Sequence, residues 1–118
     1  FAPAVLKEFQ SDFFEIGKGG DVPFMEKIYS GKSDKAKVIP AVFHEDYTCR
    51  IQTVQKDINK RFYKLINEFY KITNIPVILN TSFNLNDEPI VCTPKDAIKT
   101  FMNSGLDVLV IGNYFIEK

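Results

Sequence analysis

The clearest pattern along the chain is an amphipathic helix between residues 58 and 73. Apolar residues recur there at helical spacing, while lysine, arginine and glutamate occupy the other side. Asn74 follows as a terminator, because asparagine tolerates the left-handed backbone that ends many helices. The apolar stripe consists of Ile58, Phe62, Leu65, Ile66 and Phe69.

A second helix is predicted to start at Thr93-Pro94. Thr93 can cap the helix, Pro94 fits the first helical position, and Asp96 can reach back in a variant of the capping box. Gly105 is predicted to supply the left-handed stop. The buried face is predicted to be Ala97, Ile98, Phe101 and Met102.

Strand patterns surround these helices. Residues 38–54 are β-like, the run IPVIL at 75–79 predicts a buried strand, and the apolar run at 106–116 predicts a central strand buried on both faces. Helices and strands therefore alternate, which predicts the α/β or α+β class in a single domain over residues 1–118. Within 38–54, Thr48, Arg50 and Gln52 are predicted to face one side, and Cys49, Ile51 and Thr53 the other.

The remaining segments give weaker patterns. Residues 4–16 have apolar positions near helical period, although a strand beginning at Phe1 fits as well. Residues 23–30 resemble a strand, and 31–37 a charged loop. The segment GKGGD at 17–21 lacks the Walker spacing and is predicted to be a plain turn.

Composition and charge narrow the class of protein. The chain has 118 residues, 45% of them hydrophobic, and equal numbers of basic and acidic residues. A domain that held nucleic acid by neutralising phosphates would show a basic excess, so a nucleic-acid partner is not expected. No apolar run approaches the roughly 20 residues of a membrane span, and no signal peptide opens the chain. The start at Phe1 indicates a fragment of a longer polypeptide.

The residues typical of metal and thiol chemistry are few. His44 is the only histidine, with only Glu45 and Asp46 as possible ligands nearby, so no metal site is predicted. Cys49 and Cys92 are predicted to be reduced, packed thiols, which fits a cytoplasmic protein.

The most informative polar segment is NTSFN at 80–84, directly after an apolar strand. If the backbone stays extended, Ser82 and Asn84 point to the same side, where they could bind a phosphate or a carbamoyl group. An asparagine-rich turn with local hydrogen bonds explains the segment equally well. Arg50 has a similar ambiguity, since it is either an exposed edge charge or an anion-binding residue.

Taken together, three segments resemble one family. PAVFHEDYTCRIQTV, N-x-x-F-Y-x-L-I and IPVILNTSFNLNDEPIVCTPKDAIKTFMNSGLDVLVIGNY are similar to the C-terminal domain of the NodU-type O-carbamoyltransferases. The resemblance implies a YrdC-like twisted mixed sheet with packed helices, truncated at its N-terminal side. It covers essentially the whole chain.

The resemblance also implies a function. In that family, this part is understood to bind ATP, with which Mg²⁺ is expected, and carbamoyl phosphate, and to form carbamoyl adenylate. A preceding domain that carries iron or another divalent metal then passes the carbamoyl group to an acceptor hydroxyl. Ser82 and Asn84 match the family's S-x-N pair, Arg50 matches the arginine before its QT pair, and Thr81 is a further candidate for contacting ATP or the carbamoyl group.

The sequence departs from the family at three points. The family's K-x-R-E segment, expected just before Phe1, is absent, so the isolated fragment is predicted to be inactive. Asp87 and Tyr47 stand where the family has glycine, which could alter loop geometry. The alternative is a nucleotide-sensing or structural interaction module without chemistry, which Asp87 favours because its carboxylate would repel phosphate.

Overall fold

A computed structural model describes residues 2–17 and 20–118, so Phe1, Lys18 and Gly19, including the middle of the predicted GKGGD turn, lie outside the described residues. The chain forms two compact units, Phe1–Thr81 and Ser82–Lys118. The two units are described separately below.

The first unit is built on a mixed three-stranded sheet with the order β4-β1-β5. The central strand β1 runs parallel to β4 and antiparallel to β5. Strands β2 and β3 form a separate antiparallel pair. The strands are β1 (Ala2–Leu6), β2 (Ile28–Ser30), β3 (Thr48–Arg50), β4 (Gln52–Val54) and β5 (Val77–Asn80). The helices are α1 (Gln10–Phe13), α2 (Ser33–Ala36) and α3 (Lys60–Thr73), with 3₁₀ turns at Lys7–Phe9 and Pro40–Val42.

Strand β1 lies between two hydrophobic clusters, and all five of its residues are buried. Val5 belongs to a cluster that contains Phe14, Ile51 and Val77. Ala4 and Leu6 belong to another, with Val54 and Ile66. Because side chains alternate along a strand, the two clusters lie on opposite faces of the sheet. A mixed sheet with helices agrees with the predicted α+β class.

The first segment combines the two structures that its sequence allowed. Residues 2–6 are a strand, and the helical turns begin only at Lys7. Pairing on both edges and burial on both faces favour the strand for Val5 and Leu6, although their spacing also fits a helix. The predicted strand at 23–30 is confirmed only for Ile28–Ser30, and the predicted loop at 31–37 contains the short helix α2.

The predicted end of α3 at Asn74 is confirmed, but only part of its apolar stripe is buried. The side chain of Asn59 accepts a hydrogen bond from the backbone N–H of Phe62 at 3.3 Å, and Asn74 ends the helix at a φ of 58°. Of the predicted stripe, only Ile66 is fully buried and Phe62 is half-buried. The other members of the stripe, Ile58, Leu65 and Phe69, are exposed.

The second unit consists of α4 (Pro94–Met102) and a hairpin of β6 (Val108–Ile111) and β7 (Tyr114–Glu117). The capping box between Thr93 and Asp96 is confirmed. Helix α4 ends through Asn103 at a φ of −96°, so the left-handed stop predicted at Gly105 is wrong. Its fully buried side chains are Ala97, Thr100 and Phe101, whereas Ile98 and Met102 are exposed.

The single central strand predicted at 106–116 is wrong, because the chain reverses within it. Gly112 has a φ of 59°, which suits the first central position of a tight hairpin turn, and Asn113 follows. Val110, Tyr114 and Phe115 are exposed on the hairpin. Among the described residues, no helix has the length and apolar character needed to cross a bilayer.

Asp21 joins the loop before β2 to strand β4 and to Lys7, the residue that follows β1. Its carboxylate accepts hydrogen bonds from the side chains of Thr53 and Gln55, and pairs with Lys7 at 3.0 Å. The hydrogen bond from Thr53 is the main reason why the pKa of Asp21 lies below its ordinary value of 3.8; partial burial opposes this, and Lys7 adds to it. This carboxylate therefore stabilises the fold in its charged form.

We expect Asp21→Asn to lower the free energy of unfolding by about 1–2 kcal/mol at pH 7, because hydrogen bonds to a charged group are among the stronger ones. Since the folded pKa is depressed, the stabilisation is present above the unfolded pKa and is lost as the pH falls through the folded pKa. Urea unfolding of both proteins between pH 6 and pH 2.5 measures this. A difference in stability that stays constant over that range would contradict the assignment.

Tyr47 and Asp87 both adopt the left-handed backbone, with φ of 61° and 64°. The turns therefore retain the conformation that glycine adopts most easily, despite the two side chains. Asparagine and aspartate tolerate this region better than bulky residues, so Tyr47 carries more strain than Asp87.

We expect Tyr47→Gly to raise the free energy of unfolding by up to about 1 kcal/mol, and Asp87→Gly to change it less. The phenol of Tyr47 is exposed, so little burial is lost. Tyr47→Ala is the matched control, since alanine keeps the Cβ atom that causes the strain. Thermal and urea unfolding would contradict this account if alanine stabilised the protein as much as glycine.

Candidate functional site

The start of β4 and the end of β5 lie at the same edge of the sheet. Ala4 of β1 is the register partner of Gln52 in the parallel strand, and Ala2 is the partner of Asn80 in the antiparallel strand. The opposite directions of β4 and β5 thus place the residue before β4 and the residue after β5 together at this edge. The sheet edge so defined contains parts of the CRIQT and NTSFN segments.

A side-chain hydrogen bond joins these two segments across β1. The amide nitrogen Nδ2 of Asn80 donates to Oε1 of Gln52 at 2.8 Å, and Nε2 of Gln52 donates to the carbonyl of Pro23 at 2.9 Å. The small side chains of Ala2 and Ala4 lie on the same face of the central strand, which gives the two longer amides room to meet above it.

Arg50 and Thr81 flank this hydrogen bond in the sequence. Arg50 is the last residue of β3 and is exposed, because Cys49 and Ile51 on either side of it are fully buried and point inward. This confirms the predicted alternation of faces around Arg50. Thr81 follows Asn80 directly and is also exposed. In the first unit, an exposed cation thus lies two residues before Gln52 and an exposed hydroxyl lies next to Asn80.

Ser82 and Asn84 belong to the second unit. Ser82 is exposed, whereas Asn84 is half-buried and donates from Nδ2 to the carbonyls of Leu85 at 3.0 Å and Glu88 at 3.1 Å. A backbone hydrogen bond from Val91 to Phe83, 3.1 Å long, closes the same loop. Both amide hydrogens of Asn84 thus serve local bonds, as the turn interpretation predicts. Its oxygen Oδ1 is the atom that can contact a ligand.

A cleft of about 240 Å³ lies in the second unit between residues 88–92 and the first turns of α4. Lys99 and Glu88 approach to 3.4 Å beside it. Asp96 also lines the cleft, and hydrogen bonds, chiefly from the Thr93 side chain, hold its pKa below the ordinary value. Most of the cleft wall is apolar, with these charges at its side.

The two cysteines have different environments. Cys49 is fully buried, and burial raises the pKa of its thiol to about 12, which excludes a thiolate nucleophile near neutral pH. Cys92 is exposed at the cleft, so the prediction of two packed thiols is wrong for this residue. His44 is exposed, and within residues 2–17 and 20–118 no group of three or more metal-binding side chains occurs.

Sequence reasoning missed Gln52 and Asn80, which link the two motif segments. Each of the two residues has a sequence feature that could have identified it. Asn80 is a polar residue that ends an apolar strand, and Gln52 belongs to the less buried face of the alternating strand. What the sequence could not show is the order of the strands, which brings the two residues together across β1.

We expect Gln52→Ala and Asn80→Ala each to destabilise the fold by about 1 kcal/mol, the usual contribution of a half-buried amide hydrogen bond. The double variant should lose less than the sum, with a coupling of roughly 0.5–1 kcal/mol. Urea unfolding of the four proteins measures the cycle, and exposed Asn86→Ala is the control for replacing an asparagine. Strictly additive losses would contradict a bond across β1.

Comparison with known proteins identifies the family. A sequence model described as "Carbamoyltransferase C-terminus" matches residues 1–118. The chain is 44% identical to nodulation protein NolNO of Sinorhizobium fredii and 44% identical to nodulation protein NolO of Bradyrhizobium diazoefficiens, each over the whole chain and over 18% and 22% of those proteins. A 3'-hydroxymethylcephem-O-carbamoyltransferase of Amycolatopsis lactamdurans is 26% identical over 95% of the chain and 20% of its own length. The chain thus spans about a fifth of the length of these curated relatives. It belongs to the carbamoyltransferase C-terminal family.

Proposed function

We propose that this chain is the C-terminal part of an ATP-dependent O-carbamoyltransferase, called the parent protein below. The match of the carbamoyltransferase C-terminal family to residues 1–118 carries the proposal. The similarity to a relative named as an O-carbamoyltransferase supports transfer to a hydroxyl oxygen. Because the reaction consumes ATP, we propose the cytoplasm as its location.

The proposed reaction has three chemical steps. Carbamoyl phosphate reacts with water and releases phosphate to give carbamate. A carbamate oxygen then attacks the α-phosphorus of ATP, whose bond to the bridging oxygen breaks and releases pyrophosphate. The product, carbamoyl adenylate, passes its carbamoyl group to the acceptor hydroxyl and releases AMP. The protein's main task is to hold two anions that repel each other and to offset the charge that develops.

The candidate side chains have distinct roles in this scheme. Arg50 can bind a phosphate or carboxylate oxygen pair through its planar guanidinium group, which is always charged. The hydroxyls of Thr81 and Ser82 can donate to or accept from the carbamoyl group or phosphate. Asn84 acts mainly by shaping the loop, since its amide hydrogens bind Leu85 and Glu88. Mg²⁺ bound to the phosphates of ATP would enter with the nucleotide.

The sheet topology supports convergence of the family's motifs at one place. The residues just before β4 and just after β5 lie at one edge through the antiparallel pairing of β1 with β5. Strand β1 starts at that same edge, since Ala2 is the partner of Asn80. A K-x-R segment before β1, where the resemblance to the family places it, would reach this edge too. Arg50 and such a segment are far apart in sequence, and this edge is where they would meet.

We expect Arg50→Ala and Ser82→Ala in the parent protein to slow the ATP–pyrophosphate exchange that carbamoyl phosphate drives. One positioned, charge-assisted bond that forms in the transition state corresponds to roughly ten- to a hundredfold in rate. The measurement is incorporation of labelled pyrophosphate into ATP. The 118-residue chain alone should give no turnover, because the second half of the site is absent.

Lys37→Ala and Ser33→Ala are the matched controls, since both side chains are exposed in the first unit and away from the motifs in the sequence. They should leave exchange unchanged. Unaltered exchange in both Arg50→Ala and Ser82→Ala would remove these residues from the site. If the unmodified parent bound neither ATP nor carbamoyl phosphate by calorimetry, the interaction-module alternative would replace the enzyme.

A further inference from the structure

Helix α3 and the turn before it expose four large apolar side chains. The side chains of Ile58, Leu65, Phe69 and Ile72 are 69%, 58%, 39% and 83% exposed. Exposed apolar residues that occur singly are common, but three at helical spacing, with Ile58 in the turn before the helix, form a patch, and such patches mark interaction sites. These four residues are called the outer face below.

The outer face is distinct from the side of α3 that packs on the sheet. Ile66 is fully buried there, Tyr63 donates a hydrogen bond to Glu8, and the ring of Tyr70 packs at a tilt against Phe9 with centroids 4.8 Å apart. At about 100° per residue, Leu65 and Phe69 lie beside this buried side rather than opposite to it. The apolar arc of α3 is therefore wider than its contact with the sheet.

The solvent border of the outer face carries one positive and one negative charge. Arg61 and Glu68 are separated by seven residues, or two helical turns, so they lie at nearly the same angle around the helix. Lys60, Lys64 and Lys71 lie further round, away from the apolar residues. Lys71 contacts Glu68 at 2.8 Å from that side.

We propose that the outer face binds a second copy of this chain, with the two α3 helices packed antiparallel about a two-fold axis. In the register of antiparallel coiled coils, Phe62 faces the partner's Leu65, and Arg61 faces the partner's Glu68. The two-fold axis repeats each of these contacts, so one arrangement pairs the border charges of both copies and covers both apolar faces.

The charge pattern distinguishes this partner from others. A uniformly acidic partner would meet Glu68, and a uniformly basic one would meet Arg61, so each leaves an unfavourable contact at the border. A reversed copy of the same helix presents a negative charge to Arg61 and a positive charge to Glu68. The border is thus self-complementary, which is a property of two-fold interfaces.

One helix pair is a small interface compared with the roughly 800 Å² per partner of standard protein–protein interfaces. We therefore expect a dimer that dissociates on dilution, and the parent protein should show it in sedimentation equilibrium. Leu65→Asp should weaken the dimer by a hundredfold or more, since it places a carboxylate in an apolar contact. Lys60→Glu, on the same helix but away from the outer face, should leave the dissociation constant unchanged.

The decisive comparison exchanges the two border charges. Arg61→Glu should weaken the dimer roughly tenfold, because the new carboxylate in each copy then lies opposite the partner's Glu68. Combining Arg61→Glu with Glu68→Arg should restore the dimer. Circular dichroism confirms that the exposed substitutions leave the fold intact. A parent that stays monomeric at millimolar concentration, a dimer insensitive to Leu65→Asp, or a double variant that stays weak would each overturn the proposal. None of these results bears on the proposed reaction.

Discussion

The structure depends on the burial of one strand, β1, between two hydrophobic clusters and between two neighbouring strands. Because β1 is parallel to one neighbour and antiparallel to the other, the start of β4 and the end of β5 must lie at one edge. That constraint brings together two motif segments that are almost thirty residues apart, as the Gln52–Asn80 hydrogen bond shows at a separation of 28 residues. The small alanines of β1 leave the space in which those amides meet. The directions of the strands thus determine where the two motif segments lie, and the side chains in those segments determine what they can bind.

The sequence predicted the features that rest on local interactions. The caps at Thr93 and Asn74 and the alternation around Arg50 are confirmed, because a hydrogen bond between near neighbours or a period of two residues determines each of them. The predictions failed where tertiary contacts decide. Val5 and Leu6 fit a helix by spacing, yet pairing with two strands makes them a strand. The run at 106–116 was interpreted by hydrophobicity alone, although Gly112-Asn113 is a hairpin signal.

The candidate site shows the same division. Residue types and the resemblance to the family predict Arg50, Thr81, Ser82 and Asn84 as site residues, and the first two lie within two residues of the Gln52–Asn80 hydrogen bond in sequence. The structure also shows that both amide hydrogens of Asn84 hold the loop together. Sequence reasoning gave equal weight to a ligand and a local role for this asparagine, since both use the same donor atoms. Only the positions of the Leu85 and Glu88 carbonyls could distinguish them, and loop closure sets those positions.

Strand β1 and helix α3 differ in how far their apolar residues are buried. Helical periodicity predicts that Leu65 and Phe69 belong to an apolar stripe, and that prediction holds; it does not predict what covers the stripe. In the first unit only Ile66 of this stripe is fully buried, and Leu65 and Phe69 stay exposed. A side chain that is apolar by pattern but exposed in the folded chain therefore carries information about partners. Every residue of β1 is buried, whereas the apolar stripe of α3 is buried only in part, and the exposed part is the surface proposed to bind a second copy.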